Sequence, residues 1–352
     1  MTTEHSAFRY LSRDDVVRAV AAIDPVAVVA ETLRLHSENR VMITEEAYLP
    51  WRSPGRAANQ CLAMPGAVDF DDGYAVGLET ISSGSRNTAN GQPRSQGLTL
   101  LLDNETARPR VVMEAAYISA LRTAAVTAVA AQTLGREQLS SMGLIGCGTQ
   151  AMAHLTLLSD TVPTLAEVRL FDVDAARAER FRAQAATLRP QLRIEVMPTA
   201  RDCVTGVDLV VPVTTVTRGY IPWDWLTPGT LVSNVSLDDL LPDVVHRCDL
   251  LVLDDWELVS GDNRRLLGRM YREGELLSPS AIVSDQTGGP TTSARKVDAT
   301  LGEVVAGAHR GRCADTDIVV CNAIGMAILD IAVAHRVATV AERAGIGQLL
   351  AL

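Results

Sequence analysis

The chain has 352 residues, 47% of them hydrophobic, which is enough for two domains with an apolar core each. Its 42 acidic residues outnumber the 32 lysines and arginines, for a net charge of -10; this is the reverse of the footprint that recognises nucleic acid or an anionic membrane, so neither is expected as a partner. No apolar run approaches the roughly 18 residues of a membrane span, and the opening MTTEHSAFRY lacks the basic-then-apolar order of a secretory signal, so a soluble cytoplasmic protein is expected.

In chain order, residues 14–38 carry apolar positions at three- and four-residue spacing on either side of Pro25 and read as helix. From about 41 to 118 the runs VMITEEAYL, CLAMPGAV, YAVGLETI, GLTLLLD and RPRVVMEAAYI, separated by Gly, Pro, Asn and Asp, read as strands of an antiparallel or mixed sheet in an α+β domain. A small-residue helix, SALRTAAVTAVAAQTL, follows. With Ser119 as its N-cap, Arg122 falls in the first turn, where a cation is electrostatically disfavoured unless an anion is to be bound there. From 139 onward short β-branched strands alternate with helices: LSSMGLIG, EVRLFD, LRIEVMP, VDLVVPVTT, TLVSNVS and DLLVLDD. That alternation predicts an α/β fold, a doubly wound parallel sheet of Rossmann type. After about 310, DIVVCN followed by a long helical segment predicts a final strand and a helix returning to the first domain. The six cysteines form no C-x-x-C and the six histidines no ligand-spaced pair, so no metal site is expected and the thiols read as buried or incidental.

The stretch Gly146-Cys-Gly148-Thr-Gln-Ala151 directly follows a predicted strand and opens a helix. In that context G-x-G-x-x-A is a dinucleotide fingerprint, whose glycines allow the tight turn and the close approach of pyrophosphate to a helix N-terminus. Thr149 and Gln150 are placed to touch the pyrophosphate. Asp172 ends the second strand at the spacing of the ribose-binding carboxylate, although it could instead cap the next helix. A carboxylate there repels a 2′-phosphate, so NAD is expected rather than NADP. Thr214, and the run Asn234-Val235-Ser236, end the fourth and fifth strands where such a sheet lines its ligand crevice. Just beyond, Asp238 and Asp239 are candidate general acid/base groups or caps for a helix over 239–245.

Three stretches, ISALRTAAVTAVAA, GLIGCGTQA and CNAIGMAILDIAVA, together with the order of elements, give a chain that resembles the ornithine cyclodeaminase/mu-crystallin family of NAD(P)-binding proteins. The resemblance implies a substrate and dimerisation domain over 1–128, completed by a returning segment from about 318 to 352, and an NAD-binding Rossmann domain over 129–317. It implies a likeness to homodimers, and, through NGQPRSQG, VSNVSLDDLLPDVV and TLGEVVAG, to the branch that forms 2,3-diaminopropionate for siderophores and antibiotics. That branch oxidises N-(2-amino-2-carboxyethyl)-L-glutamate with NAD and hydrolyses the imine to 2-oxoglutarate and L-2,3-diaminopropionate. By the same matching Asp239 is the catalytic aspartate, Arg122 a substrate-carboxylate arginine, Arg52 (or its rival Arg56) and Arg94 further clamps, and Gly325 packs near the nicotinamide. Bidentate guanidinium pairing suits a substrate with several carboxylates.

One position departs from the family pattern. Many members carry a lysine that binds the substrate carboxylate where this chain has Glu79. Another arginine compensates, or Glu79 faces a substrate amine, or the substrate differs. The alternatives are therefore an ornithine or lysine cyclodeaminase, an imine reductase or amino-acid dehydrogenase acting on another amine, and a non-catalytic NAD(P)H-binding protein.

Overall fold

The structure, a computed structural model, describes residues 7–282 and 294–352. The strands in chain order are β1 Ala7–Leu11, β2 Val41–Ile43, β3 Ala47–Arg52, β4 Ala58–Phe70, β5 Gly73–Gly84, β6 Ser95–Leu102, β7 Pro109–Glu114, β8 Ser141–Ile145, β9 Glu167–Phe171, β10 Arg193–Val196, β11 Leu209–Pro212, β12 Leu231–Asn234, β13 Leu250–Leu253, β14 Leu276–Leu277, β15 Arg295–Lys296, β16 Ala299–Thr300, β17 Val319–Asn322 and β18 Gln348–Ala351. The helices are α1 Arg13–Val20, α2 Pro25–Ser37, α3 Ala116–Leu134, α4 Thr149–Thr161, α5 Ala175–Leu188, α6 Ala200–Val204, α7 Pro242–Arg247, α8 Trp256–Gly261, α9 Leu266–Arg272, α10 Leu301–Val305 and α11 Ala327–Ala344. Two compact units result, Met1–Arg122 with Met326–Leu352, and Thr123–Gly325.

In the first unit the helical stretch expected over 14–38 is two helices. Ser12 and Asp15 form a capping box that starts α1, and Asp24 caps α2 with Pro25 at its first position, where a missing N–H costs nothing. The sheet has the order β18-β1-β7-β6-β5-β4-β2, with β3 also paired to β4. β4 and β5 form a long antiparallel hairpin, in register from Asn59↔Gly84 to Phe70↔Gly73. One face of the sheet buries Met64, Val68 and Phe70 of β4, Ala75 and Glu79 of β5, Thr99 and Leu101 of β6 and Val111 and Met113 of β7. α11 packs on this face: a Cβ added at Gly66 would meet Ile328 and Ile331 at 3.2 and 3.3 Å, so the glycine admits the helix.

In the second unit every pairing of the large sheet is parallel, in the order β10-β9-β8-β11-β12-β17-β13-β16. β11, β12, β13 and β17 are buried at every position, as expected for central strands covered on both faces. β17, which comes late in the sequence, is inserted between β12 and β13. The chain therefore stays in the second unit through Gly325 and returns to the first only from Met326, whereas the resemblance implies a return at about 318. The other division falls at Arg122/Thr123, inside α3, against the expected 128/129.

Candidate active site

The nucleotide half is built on the carboxyl ends of β8, β9, β11 and β12. Gly146 follows β8 at φ +94°, and a Cβ there would lie 2.9 Å from the Val213 carbonyl oxygen. Only glycine fits such a turn without strain. Gly148 is the N-cap of α4, and Thr149, Gln150 and Ala151 are its first three residues, so their backbone N–H groups are the unpaired donors of a helix N-terminus. Ala151 is buried, letting helix and strand approach. Gln150 carries a buried Oε1 without a hydrogen-bond partner, a polar atom consistent with a ligand at this turn.

Asp172 does not cap the following helix. That role belongs to Asp174, which accepts from the Arg177 N–H. The Asp172 carboxylate accepts instead from the Cys147 and Asp174 N–H groups, each at 2.9 Å, which fixes it beside the glycine turn with lone pairs left for ribose hydroxyls. Burial and the Asp172 charge push the Cys147 thiol up to about 12, so it stays protonated. Asn234 and Asn322, at the ends of adjacent β12 and β17, are joined by an Nδ2–H···Oδ1 bond of 2.7 Å. Gly325, at φ +87°, donates its N–H to the buried Asp254 at 2.7 Å.

The neighbouring aspartates Asp238 and Asp239 separate into different roles. Asp238 is ion-paired with Arg269 at 2.6 Å. Asp239 is fully buried and meets hydroxyls: Thr214 and Tyr220 donate to its Oδ1 at 2.8 Å each, and Ser236 contacts its Oδ2. Its carbonyl oxygen accepts from the N–H groups of Tyr220 and Ile221 at 3.0 and 2.9 Å, which pins the backbone. Neither aspartate caps a helix over 239–245, because α7 begins at Pro242 with Leu241 as N-cap. Burial lifts the Asp239 carboxyl above the usual carboxylate range, partly offset by the three hydroxyls. Ser236 also reaches the Pro212 carbonyl at 3.0 Å. Its one hydroxyl hydrogen is thus claimed by two acceptors, the Pro212 carbonyl and the Asp239 carboxyl. Val235, half-buried between Asn234 and Ser236, carries the chain from β12 into it.

In the first unit Arg122 lies in the second turn of α3, because the helix begins at Ala116 rather than after Ser119. The helix N-terminus is capped by Glu114, whose carboxylate accepts from the Ala116 and Tyr117 N–H groups at 3.0 Å each. The expected helix-end anion site at Arg122 is therefore corrected: its Nε donates to Asp330 Oδ1 of α11 at 2.7 Å, and both residues are buried. Glu79 is fully buried, next to this pair. Arg52, the last residue of β3, and Arg94 are exposed and line one groove of about 520 Å³ with Tyr48, Trp51, Gln60 and Ser83. Arg56 does not line it; it sits at φ +61° in a turn closed by its N–H to the Ser53 carbonyl. The structure thus groups Arg52 with Arg94, and Arg122 with Glu79 and Asp330.

The pattern of the ornithine cyclodeaminase/mu-crystallin family matches residues 10–345. The chain belongs to this family. It is 29% identical to the N-((2S)-2-amino-2-carboxyethyl)-L-glutamate dehydrogenase of Staphylococcus aureus, over 97% of this chain and 98% of the relative. Among solved structures it superposes on CmnK with a TM-score of 0.89 and 37% identity, covering 98% of each chain. An archaeal alanine dehydrogenase dimer with bound NAD gives a TM-score of 0.81 and 25% identity, over 98% of this chain and 99% of that one.

Three residues of the clusters are not legible in the sequence pattern. Tyr220 gives no local signal; only folding brings it to Asp239. Asp254, which holds Gly325, lies at the end of a strand that reads simply as buried. Asp330 has a signal that could have found it, since a lone carboxylate in the apolar run AILDIAVA must find a partner or a proton when that helix is buried.

Proposed function

We propose that this family member is an NAD-dependent oxidoreductase that cleaves N-(2-amino-2-carboxyethyl)-L-glutamate oxidatively. The overall change is substrate + NAD⁺ + H₂O → 2-oxoglutarate + L-2,3-diaminopropionate + NADH + H⁺. The observation that carries the reading is Asp239, a buried carboxyl held by three hydroxyls at the carboxyl ends of adjacent parallel strands, with its proton affinity raised. The Staphylococcus aureus relative, matched over nearly the whole length of both chains, supports the substrate.

NAD fits the residues present: the Gly146 turn tolerates no side chain, α4 offers free N–H groups, and Asp172 is fixed beside them. Gly146, Gly148, Thr149, Gln150 and Ala151 hold the pyrophosphate and Asp172 the ribose; Thr214, Asn234, Val235, Ser236 and Gly325 line the rest of the cofactor site. When bound, NAD supplies the two-electron acceptor. Asp239 takes the proton from the substrate amine or from the water that attacks the imine, with Thr214, Tyr220 and Ser236 fixing its oxygens. Arg122, Arg52 and Arg94 hold substrate carboxylates. The exposed Tyr48, Leu49 and Trp51 on β3, and the dimeric state of the archaeal relative, support a homodimer, which light scattering on the purified protein tests.

Incubation with N-(2-amino-2-carboxyethyl)-L-glutamate and NAD is expected to give NADH and 2-oxoglutarate in equal amounts. Glu79 favours a second reading, a different amine as substrate. Turnover of ornithine, lysine or alanine, with none of the glutamate conjugate, would establish that reading instead.

A further inference from the structure

Three carboxyl oxygens of the first unit are buried without a hydrogen-bond donor: Glu79 Oε1, Glu79 Oε2 and Asp330 Oδ2. Two ionised carboxylates in such a place would repel each other and leave most of their lone pairs unsatisfied, a state that folded proteins avoid by taking up a proton. The two carboxyl groups lie within hydrogen-bonding reach of each other. One proton resolves the conflict, because a protonated Glu79 donates O–H to Asp330 Oδ2 while Asp330 Oδ1 accepts from Arg122 Nε. The cluster then carries one positive and one negative charge.

The surroundings agree. Glu79 sits in a cross-strand row with Met64 of β4 and Thr99 of β6, and the Thr99 hydroxyl is also buried without a partner. Of the charged groups acting on Glu79, Asp330 of α11 and Glu114 of β7 oppose its ionisation and Arg122 of α3 favours it. Burial is the largest influence and also opposes the charged form.

We infer that Glu79 is a neutral carboxylic acid that shares its proton with Asp330 and, through Asp330, is a positioning residue for the Arg122 guanidinium. Arg122 Nε follows Asp330, and the Glu79 proton fixes Asp330. The cluster then keeps a single cation, Arg122. The consequence for substrate binding rests on the role proposed above for Arg122.

The test uses the intact protein labelled with ¹³C at glutamate carboxyl carbons, with the Glu79 signal assigned by its loss in Glu79→Gln. At neutral pH that signal is expected at the position of a protonated acid, titrating above the ordinary carboxylate range; an ionised Glu79 at neutral pH overturns the inference. The Arg122 Nε–H resonance is expected to shift as Glu79 ionises in the wild type and to stay constant over the same range in Glu79→Gln. An Arg122 signal blind to that ionisation overturns the positioning role. With the glutamate conjugate as substrate, wild-type KM is expected to rise about tenfold across the ionisation at little change in kcat, while Glu79→Gln stays within about twofold. A wild-type rise that persists in Glu79→Gln also overturns it. Absence of any turnover refutes the proposed substrate instead and leaves the two spectroscopic outcomes to decide this point.

Discussion

Asp239 in the second unit accepts from the hydroxyls of Thr214, Tyr220 and Ser236, whereas Asp330 in the first meets a guanidinium on one oxygen and an acid on the other. Both carboxyls are buried, and burial raises the proton affinity of both. The difference lies in what offsets it. Hydroxyls stabilise a carboxylate without fixing its charge, because each can rotate and accept when the acid is protonated, so Asp239 can gain and lose a proton in place. A guanidinium cannot give up its proton. Asp330 is therefore locked as the anion that meets Arg122, and the exchangeable proton of that cluster resides on Glu79. One arrangement suits proton transfer and the other suits holding a charge still.

The largest effect that tests the contrast is on turnover. Asp239→Asn keeps the shape but removes the base, and kcat is expected to fall by about 10² to 10⁴ while NADH binding, read by fluorescence, is retained. Full activity in that variant would remove Asp239 from the chemistry and dissolve the comparison.

Next is stability in the first unit. Arg122→Met leaves Asp330 buried without its cation, a change expected to cost about 3–5 kcal/mol in denaturant unfolding. A loss below about 1 kcal/mol would mean that Asp330 is neutral as well and that the pair needs no counter-charge.

Tyr220→Phe deletes one of the hydroxyls that favour the charged form of Asp239. It is expected to weaken stability by about 1 kcal/mol and to move the acid limb of the kcat/KM profile to higher pH, since Asp239 then ionises less readily. An unmoved limb would show that another group titrates there.

The smallest effects are on the pH dependence of folding, where the groups act with opposite sign. Burial lowers His154 in the second unit and His335 in the first to about 4. Each takes up a proton on unfolding between its ordinary value and about 4, so their contribution is present above about 6.5 and is lost as pH falls through that window. Glu79 is raised: the folded chain keeps a proton that the unfolded chain releases, so its contribution is full below the ordinary carboxylate range and is lost as pH rises. Thermal melts should therefore show His154→Asn flattening the acid side and Glu79→Gln flattening the neutral and alkaline side. The reverse pattern would contradict a neutral imidazole at His154 and a neutral acid at Glu79 in the folded chain.

Much of the nucleotide half was legible in the sequence because its signals are local. The glycine turn needs residues at adjacent positions, its strand and helix announce themselves by periodicity, and Asp172 lies at a fixed distance along the same βαβ unit. Asp239 was preferred to Asp238 by resemblance, and the structure adds that Asp238 is ion-paired with Arg269 while Asp239 meets three hydroxyls. The start of α3 was misplaced because Ser119 offered a conventional cap, while Glu114, reaching forward from the end of β7, supplies the real one.

The alternation of strands and helices, the glycine turn and the family follow from the chain read by itself, since each shows in stretches of residues a few positions apart. The insertion of β17 between β12 and β13, the meeting of Tyr220 with Asp239 and the partner of Arg122, 208 residues away, do not. Long-range burial chooses them: β17 pairs where its apolar side chains are covered on both faces, and Asp330 is carried under the sheet by the apolar helix around it, where it must find a guanidinium and a shared proton.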